Sequence, residues 1–358
     1  MKTRSGIVSF PLRGAAVLFG MAFSLSAVMV EAQTPYYADK SINIVIGSRV
    51  GGGTDTAARI TARLLPKYIP GNPRIIVRNM PGGGGAIAGN IFYHKAKPNG
   101  LELLQASSGA MGLQLRGRDI VKFDFLKMPT IGHIARGGNV LVVRKLALPR
   151  LADSSANPVV VGTQEGEESW QAMTLWGKEF LGWNLRWIPG YTGGSDMALA
   201  FERGEIDVYS PSSAADINRY LESGEFVGLT QQGMLGGNHQ FRRRPDFPDV
   251  PTFIETLGDK KPTGFAWQAY LSFTGTTFVD KFLCLPPGTP ETYVATLTAA
   301  FASMAKDPQF DTFVKRMLSE VYDVGVGRET VQLLKMVLDV PQEAKDYSKT
   351  LQHKFGIN

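Results

Sequence analysis

A single cysteine, Cys284, stands in the 358 residues, so no disulfide can form within the chain and its core must hold by burial alone. Histidine is almost as scarce. His94, His133, His239 and His353 are scattered without metal-ligand spacing, which argues against zinc chemistry, and neither a metal nor a cofactor is expected. Catalytic signatures are missing too. There is no Gly-x-Ser-x-Gly elbow and no phosphate loop closing on Lys-Ser or Lys-Thr, and Ser303-Met304-Ala305-Lys306 falls in a helical stretch far from any glycine loop. The net charge of +6 is mild and spread along the chain. It suits an acidic ligand but lacks the basic stripe with interleaved aromatics that nucleic acid calls for. Arg242-Arg243-Arg244, the one dense basic cluster, lies beside Pro245 and Pro248 and reads as a solvated loop.

Long apolar runs are confined to the N-terminus. Lys2, Arg4 and Arg13 precede an apolar stretch over residues 15–30, and Val30-Glu31-Ala32 offers small residues where a signal peptidase cuts. Residues 1–32 are therefore expected to be a cleaved secretory signal and the remainder a soluble periplasmic protein. The stretch is short for a bilayer span, and no cysteine near the cut invites a lipid anchor. What remains is long enough for two domains of about 100 to 200 residues each.

What the chain does have is glycine loops placed between strands and helices. Residues 42–46 are apolar, residues 47–53 contain four glycines, and Thr54 and Asp55 stand where a helix would be capped. Strand, glycine loop and helix together make an anion site, because glycine admits close backbone approach and a helix start presents unpaired N–H groups. Residues 74–78 read as a second strand, followed by Gly82 to Gly85 and a helix over 86–95. A third strand over 101–105 ends in Ser107 and Ser108. The alternation predicts a parallel sheet with helices on its faces and a ligand beyond the carboxyl ends of its strands.

A second copy of this arrangement begins near Val159. A strand over 159–162 leads to Thr163 and a helix over 168–181. Another strand, over 185–188, leads to the loop Pro189-Gly190-Tyr191-Thr192-Gly193-Gly194, and a helix starts at Ser195. Two α/β units with loops of one chemical type imply a cleft between them. Past Pro251 the expectation is a short helix, an extended apolar segment over 265–273, and helices from about Glu291 onward that return to pack on the first unit.

The order of motifs resembles the periplasmic solute-binding proteins of the tripartite tricarboxylate transporters, the TctC or Bug family, over nearly the whole mature chain. The resemblance rests on Gly51-Gly52-x-x-Asp55-x-x-Ala58-Arg59, Asn79-Met80-Pro81-Gly82-Gly83-Gly84-Gly85 and Pro98-Asn99-Gly100-x-x-Leu103-Leu104. In the second half it rests on Pro189 to Gly194, Gly204-Glu205-Ile206-Asp207, Asp249-Val250-Pro251-Thr252-Phe253 and Pro287-Gly288-Thr289-Pro290. It implies a two-lobed α/β fold of the periplasmic-binding-protein, Venus flytrap type, each lobe a mainly parallel sheet flanked by helices. Lobe 1 would comprise residues 33–138 and 265–358, and lobe 2 residues 139–264. The function implied is that of a non-enzymatic, monomeric receptor that binds a small organic carboxylate and hands it to membrane permease subunits. Its ligand loops would be residues 48–55 and 191–195, with Ser48, Arg49, Gly51, Gly52, Thr54, Asp55, Gly84, Tyr191, Thr192, Gly193, Gly194, Ser195 and Asp207 as binding residues. Two readings from other classes use the same loops: an enzyme acting on a phosphorylated or acidic small molecule, and a sensor that presents its ligand to a signalling partner.

This chain departs from the family's Pro-Phe-x-Pro at Gly47-Ser48-Arg49-Val50, where a wall phenylalanine is missing and a charge stands in the loop. Arg49 is either a bidentate partner for a second acidic group on the ligand or a solvated rim cation. Asp55 reads as a residue that shapes the loop more than one that touches ligand. Ser107, Ser108 and Thr163 follow strands and suit either a pocket or a helix cap. Trp170, Trp176, Trp183 and Trp187 cluster in sequence. The core is the reading for most of them, and Trp170 is the pocket candidate.

Overall fold

Strand β1 (Ser41–Ile46) buries Ile42, Ile44 and Ile46 completely on one face, the alternation of a strand covered on that side by a helix. The covering helix is α1 (Gly53–Leu64), which sends Ala57, Ala58, Ile60 and Leu64 into the same core. Then come β2 (Arg74–Asn79), α2 (Ala86–Lys95), β3 (Glu102–Ser107), α3 (Ser108–Leu115) and β4 (Thr130–Arg136). The computed structural model describes residues 34–163, 168–191, 194–211, 213–235 and 240–357. The expected signal segment thus lies outside the described residues.

Three residues after β4, the chain enters a second sheet. Its strands are β5 (Val140–Arg144), β6 (Val159–Gly162), β7 (Leu185–Ile188), β8 (Val208–Tyr209) and β9 (Phe226–Gln231). Helices α4 (Leu148–Leu151), α5 (Gln171–Trp176), α6 (Gly194–Arg203) and α7 (Ala214–Glu222) connect them. A small hairpin, β10 (Met234–Leu235) with β11 (Phe241–Arg242), and helices α8 (Phe253–Leu257) and α9 (Gly264–Gly275) lead back. The return adds β12 (Lys281–Cys284), α10 (Glu291–Met304), α11 (Pro308–Met317), β13 (Tyr322–Val326), α12 (Arg328–Leu338) and α13 (Gln342–Lys354). The fold is a two-lobed α/β structure. The first sheet has the order β13-β4-β12-β3-β1-β2 and the second β7-β6-β8-β5-β9.

Four expectations are corrected. Both sheets are mixed rather than mainly parallel, because β12 runs antiparallel to β3 and β4, and β5 antiparallel to β8 and β9. The apolar segment over 265–273 is helical, not extended: α9 carries apolar residues nearly all round, with Phe265 left half-exposed, so no polar face reveals the helical period. The tail does not pack on the first sheet alone. Ala344 and Leu351 of α13, with Ile357, join the second lobe's core, where Phe355 stacks on Trp187. The arginine cluster is solvated only in part: Arg242 and Arg243 are exposed and pair with Asp323 and Glu255, whereas Arg244 is buried and pairs with Asp246. Arg244 also donates to the carbonyl of Gly138, in the crossover from β4 to β5.

Candidate functional site

Strand direction fixes where the functional groups gather. β1 runs parallel to β2 and β3, so residues 47–53, 80–85 and 107–108 all emerge at one edge. Since β12 is antiparallel, its first residue, Lys281, comes to the same edge opposite Ser107, and Arg136 closes β4 there. In the second lobe β6 runs parallel to β7 and β8, which brings Thr163, Tyr191 and Ser210 to its carboxyl edge. β5 starts at that edge and β4 ends at the other, so the crossover Gly137-Gly138-Asn139 joins the two edges directly. Asn139 fastens the joint by donating to Ser169 Oγ and Gln232 Oε1, both at 2.9 Å.

The first loop is held from beneath by Asp55. Gly52 is the N-cap of α1, which places Asp55 three residues in, and its Oδ2 accepts from the Gly51 N–H at 2.9 Å and Arg59 Nε at 2.8 Å. Its Oδ1 accepts from Asn79 Nδ2 at 2.8 Å, and the same amide donates to the Ser48 carbonyl at 3.1 Å. Burial pushes this carboxyl up, but the bonds from Arg59, Gly51 and Asn79 outweigh it and hold the pKa at about 2. Both oxygens are thus committed to the loop, and Asp55 positions it. The glycines have a steric reason. A Cβ on Gly47 would stand 2.6 Å from Gly85 Cα, so the two loops touch backbone to backbone. Gly84, with φ 62°, lies over Leu113 of α3. Gly51, with φ 87°, turns the loop into Gly52.

Ser48 Oγ is buried and makes no hydrogen bond, which marks it as a donor awaiting a partner. Arg49 is exposed beside Val50. Ser107 caps α3 by accepting from the Ala110 N–H at 3.3 Å, whereas Ser108 Oγ donates to Asp280 Oδ1 at 2.8 Å. Thr54 is buried and faces a hollow of about 180 Å³.

Sequence reasoning missed the charged groups of that hollow. Asp280 accepts from Lys281 Nζ at 2.5 Å, Arg136 Nε at 2.8 Å and Ser108 Oγ, and it is 3% exposed. Its carboxyl is driven upward by burial, but the charges of Lys281 and Arg136 and the bonds from Lys281 and Ser108 depress it on balance. Lys281 is buried as well, which lowers its pKa against the pull of Asp280. The missed signal was Asp280-Lys281 interrupting an apolar run. A larger hollow, about 420 Å³, runs along α2 from Met80 to Ser41 and Glu102. It holds none of the groups just described, so volume alone does not mark the site.

In the second lobe Thr163 is fully buried with its Oγ1 donating to Glu168 Oε2 at 3.0 Å. Tyr191 is half-buried, its N–H bonded to the Thr163 carbonyl and its ring against Gly162. Gly194 opens α6 and accepts from Tyr209 Oη at 3.0 Å, and Ser195 is exposed. Thr192 and Gly193 lie outside the described residues. Two candidates sit elsewhere. Asp207 stands at the amino end of β8, away from the loop edge, with its carboxylate spent on Arg150 and the Val160 N–H. Trp170 is 5% exposed within the second core, together with Trp176, Trp183 and Trp187. A further residue, Ser210, was not foreseen: it follows β8 at the carboxyl edge, is 6% exposed, and leaves its Oγ without a hydrogen bond. The hydroxyl-rich run Ser210-Pro211-Ser212-Ser213 after a strand was the readable sign.

Among the described residues no cluster of His, Cys, Asp and Glu could hold a metal ion, and no helix is long and apolar enough to cross a membrane. No family model matches the chain. Among solved structures, a TctC solute-binding protein from Polaromonas is similar with TM-score 0.67 and 21% identity, over 89% of this chain and 99% of that one. MatC from Rhodopseudomonas palustris with bound malate is similar with TM-score 0.51 and 20% identity, over 87% and 99% of the two chains. An R. palustris protein with adipate gives 0.54 and 18%, over 89% and 98%. These likenesses concern the fold. A UPF0065 protein of Bordetella pertussis is 24% identical over 307 residues, 82% of this chain and 84% of its own. Another, from the gbd 5' region of Cupriavidus necator, is 35% identical over 246 residues, which are 65% of this chain and 69% of its own. On that last likeness the chain belongs to the UPF0065 family, the TctC/Bug proteins.

Proposed function

We propose that the protein is a periplasmic receptor that captures a small organic carboxylate between the two loop edges and delivers it to a tripartite-type permease, without turning it over. The observation that carries this reading is the pair of buried, unbonded hydroxyls, Ser48 in one lobe and Ser210 in the other, each at a strand's carboxyl edge. A carboxylate between them would accept from both hydroxyls and from N–H groups at the start of α1. Charge-assisted hydrogen bonds contribute about 1.5–3 kcal/mol each, so a handful reaches micromolar affinity. The TctC/Bug relationship supports the reading, as do the malate and adipate held by structural neighbours. Asn139 and the two glycines before it are the hinge about which the lobes would close. Residues 1–32 would be the export signal. Arg49, exposed at the rim, would speed capture of anions by steering more than it would hold them.

The test is a thermal-shift and calorimetric screen of the purified protein against mono-, di- and tricarboxylates, malate and adipate included. Stabilisation by at least one class, with the ligand recovered intact by mass spectrometry, supports the receptor. Silence across the panel refutes it, and recovery of a converted product would favour an enzyme.

A further inference from the structure

Three charged side chains meet at the first lobe's loop edge. Arg136 and Lys281 bring two positive charges to the one negative charge of Asp280, and among the described residues neither cation has another acidic partner. Lys281 is 8% exposed and Asp280 3%. Together with Arg136 they wall the hollow of about 180 Å³, whose opposite side is the first turn of α1 at Gly53 and Thr54. Contact across it is close, since a Cβ on Gly53 would lie 3.6 Å from Lys281 Cε. A helix start adds a further partial positive charge. The walls of the hollow thus carry one more positive than negative charge: buried Lys281 is paired with buried Asp280, and half-exposed Arg136 supplies the surplus, next to the first turn of α1.

A purely structural role explains this poorly. Lys281 bonds to its own neighbour in sequence, a contact that ties no distant parts of the fold together. Asp280 would already be satisfied by Arg136 and Ser108. Arg49, the cation prominent in the sequence, is exposed and absent from the walls of the hollow.

We propose that the hollow is a cationic subsite in which Lys281, assisted by Arg136, pairs with a second acidic group of the ligand, so that Lys281 and not Arg49 selects dianions over monoanions. This rests on the carboxylate-receptor reading above. On ligand entry Lys281 keeps Asp280 on one side and meets the incoming carboxylate on the other, and Gly53 leaves room for the lysine to lie against α1.

The experiment is calorimetry of the purified protein with adipate and its monomethyl ester, which have one backbone and differ by one charge. One charge-assisted contact corresponds to about 10- to 100-fold in affinity, and wild-type protein is expected to prefer adipate by at least about tenfold on that scale. Lys281→Met should abolish the preference by weakening adipate alone, whereas Arg49→Ala should leave the ratio unchanged. Arg136→Met, at a half-exposed side chain, is the second variant should Lys281→Met fail to fold, and it should narrow the ratio in the same direction. A structural role would instead lower the ligand-free melting temperature and weaken both ligands equally. If wild-type protein binds both ligands without preference, or if the variants keep the preference, the subsite is refuted and the receptor stands. If wild-type protein binds no carboxylate in the panel, the receptor reading falls and takes the subsite with it.

Discussion

Replacing Asp55 with Asn tests whether the first loop is held by charge or by shape. The side chain is 2% exposed, and its pKa lies near 2 against an ordinary 3.8. At 1.36 kcal/mol per pH unit, the ionised form contributes about 2.5 kcal/mol to folding at neutral pH. Because the folded-state pKa is the depressed one, this contribution is complete above about pH 4 and is lost as pH falls through 2. Urea denaturation of Asp55→Asn should therefore show a deficit of about 2.5 kcal/mol at pH 7, roughly half that at pH 3, and almost none at pH 2. Asn also presents an N–H₂ group where both Gly51 and Arg59 donate, so carboxylate affinity should drop through the loop that both Asp55 oxygens hold. A deficit that stays constant from pH 7 to pH 3 would refute the reasoning, since it would mean that the carboxylate's charge plays no part.

Other consequences are equally direct. Gly47→Ala forces a methyl to within 2.6 Å of the Gly85 backbone, and overpacking of this kind should cost about 1–3 kcal/mol by chemical denaturation. Ser210→Ala removes a hydroxyl that has no hydrogen-bond partner among the described residues, so ligand-free stability should hold in a thermal melt while carboxylate affinity falls by about three- to tenfold. Asp207→Asn should do the reverse, destabilising through its lost pairing with Arg150 and leaving the ligand ranking intact. The Cys284 thiol is fully buried and its ionisation is pushed far up by that burial. A thiol reagent at pH 8 should label it only after unfolding, and rapid labelling of native protein would show that β12 opens.

Most of the framework was legible in the sequence because strand, glycine loop and helix recur with their own punctuation. Gly51 to Asp55 and Tyr191 to Gly194 announce themselves through residues that only a turn or helix start requires. What escaped had no pattern to read. β12 is four residues long and enters antiparallel between two parallel neighbours, so neither its length nor its order betrays it. α9 conceals its period because nearly all of its faces are apolar. The site was harder to read than the fold. Asp280, Lys281 and Arg136 lie far apart in sequence or in unremarkable company, and only the antiparallel return of β12 brings them to the glycine loop. Asp207 misled for the complementary reason, since a motif position does not say at which end of its strand a residue stands.

The placement of α13 also sets an order of events during synthesis. The second lobe's core opens with Val140 but is completed by Ala344, Leu351 and Ile357. Nascent chain ending anywhere before those residues carries Trp187 without its stacking partner Phe355. Both lobes therefore wait on late segments, the first for β12 and for Phe301, Phe310 and Val314, and the second longest, for the last helix. Until then it offers chaperones an unsealed apolar surface, and a chain cut short before α13 should be recognised as unfinished.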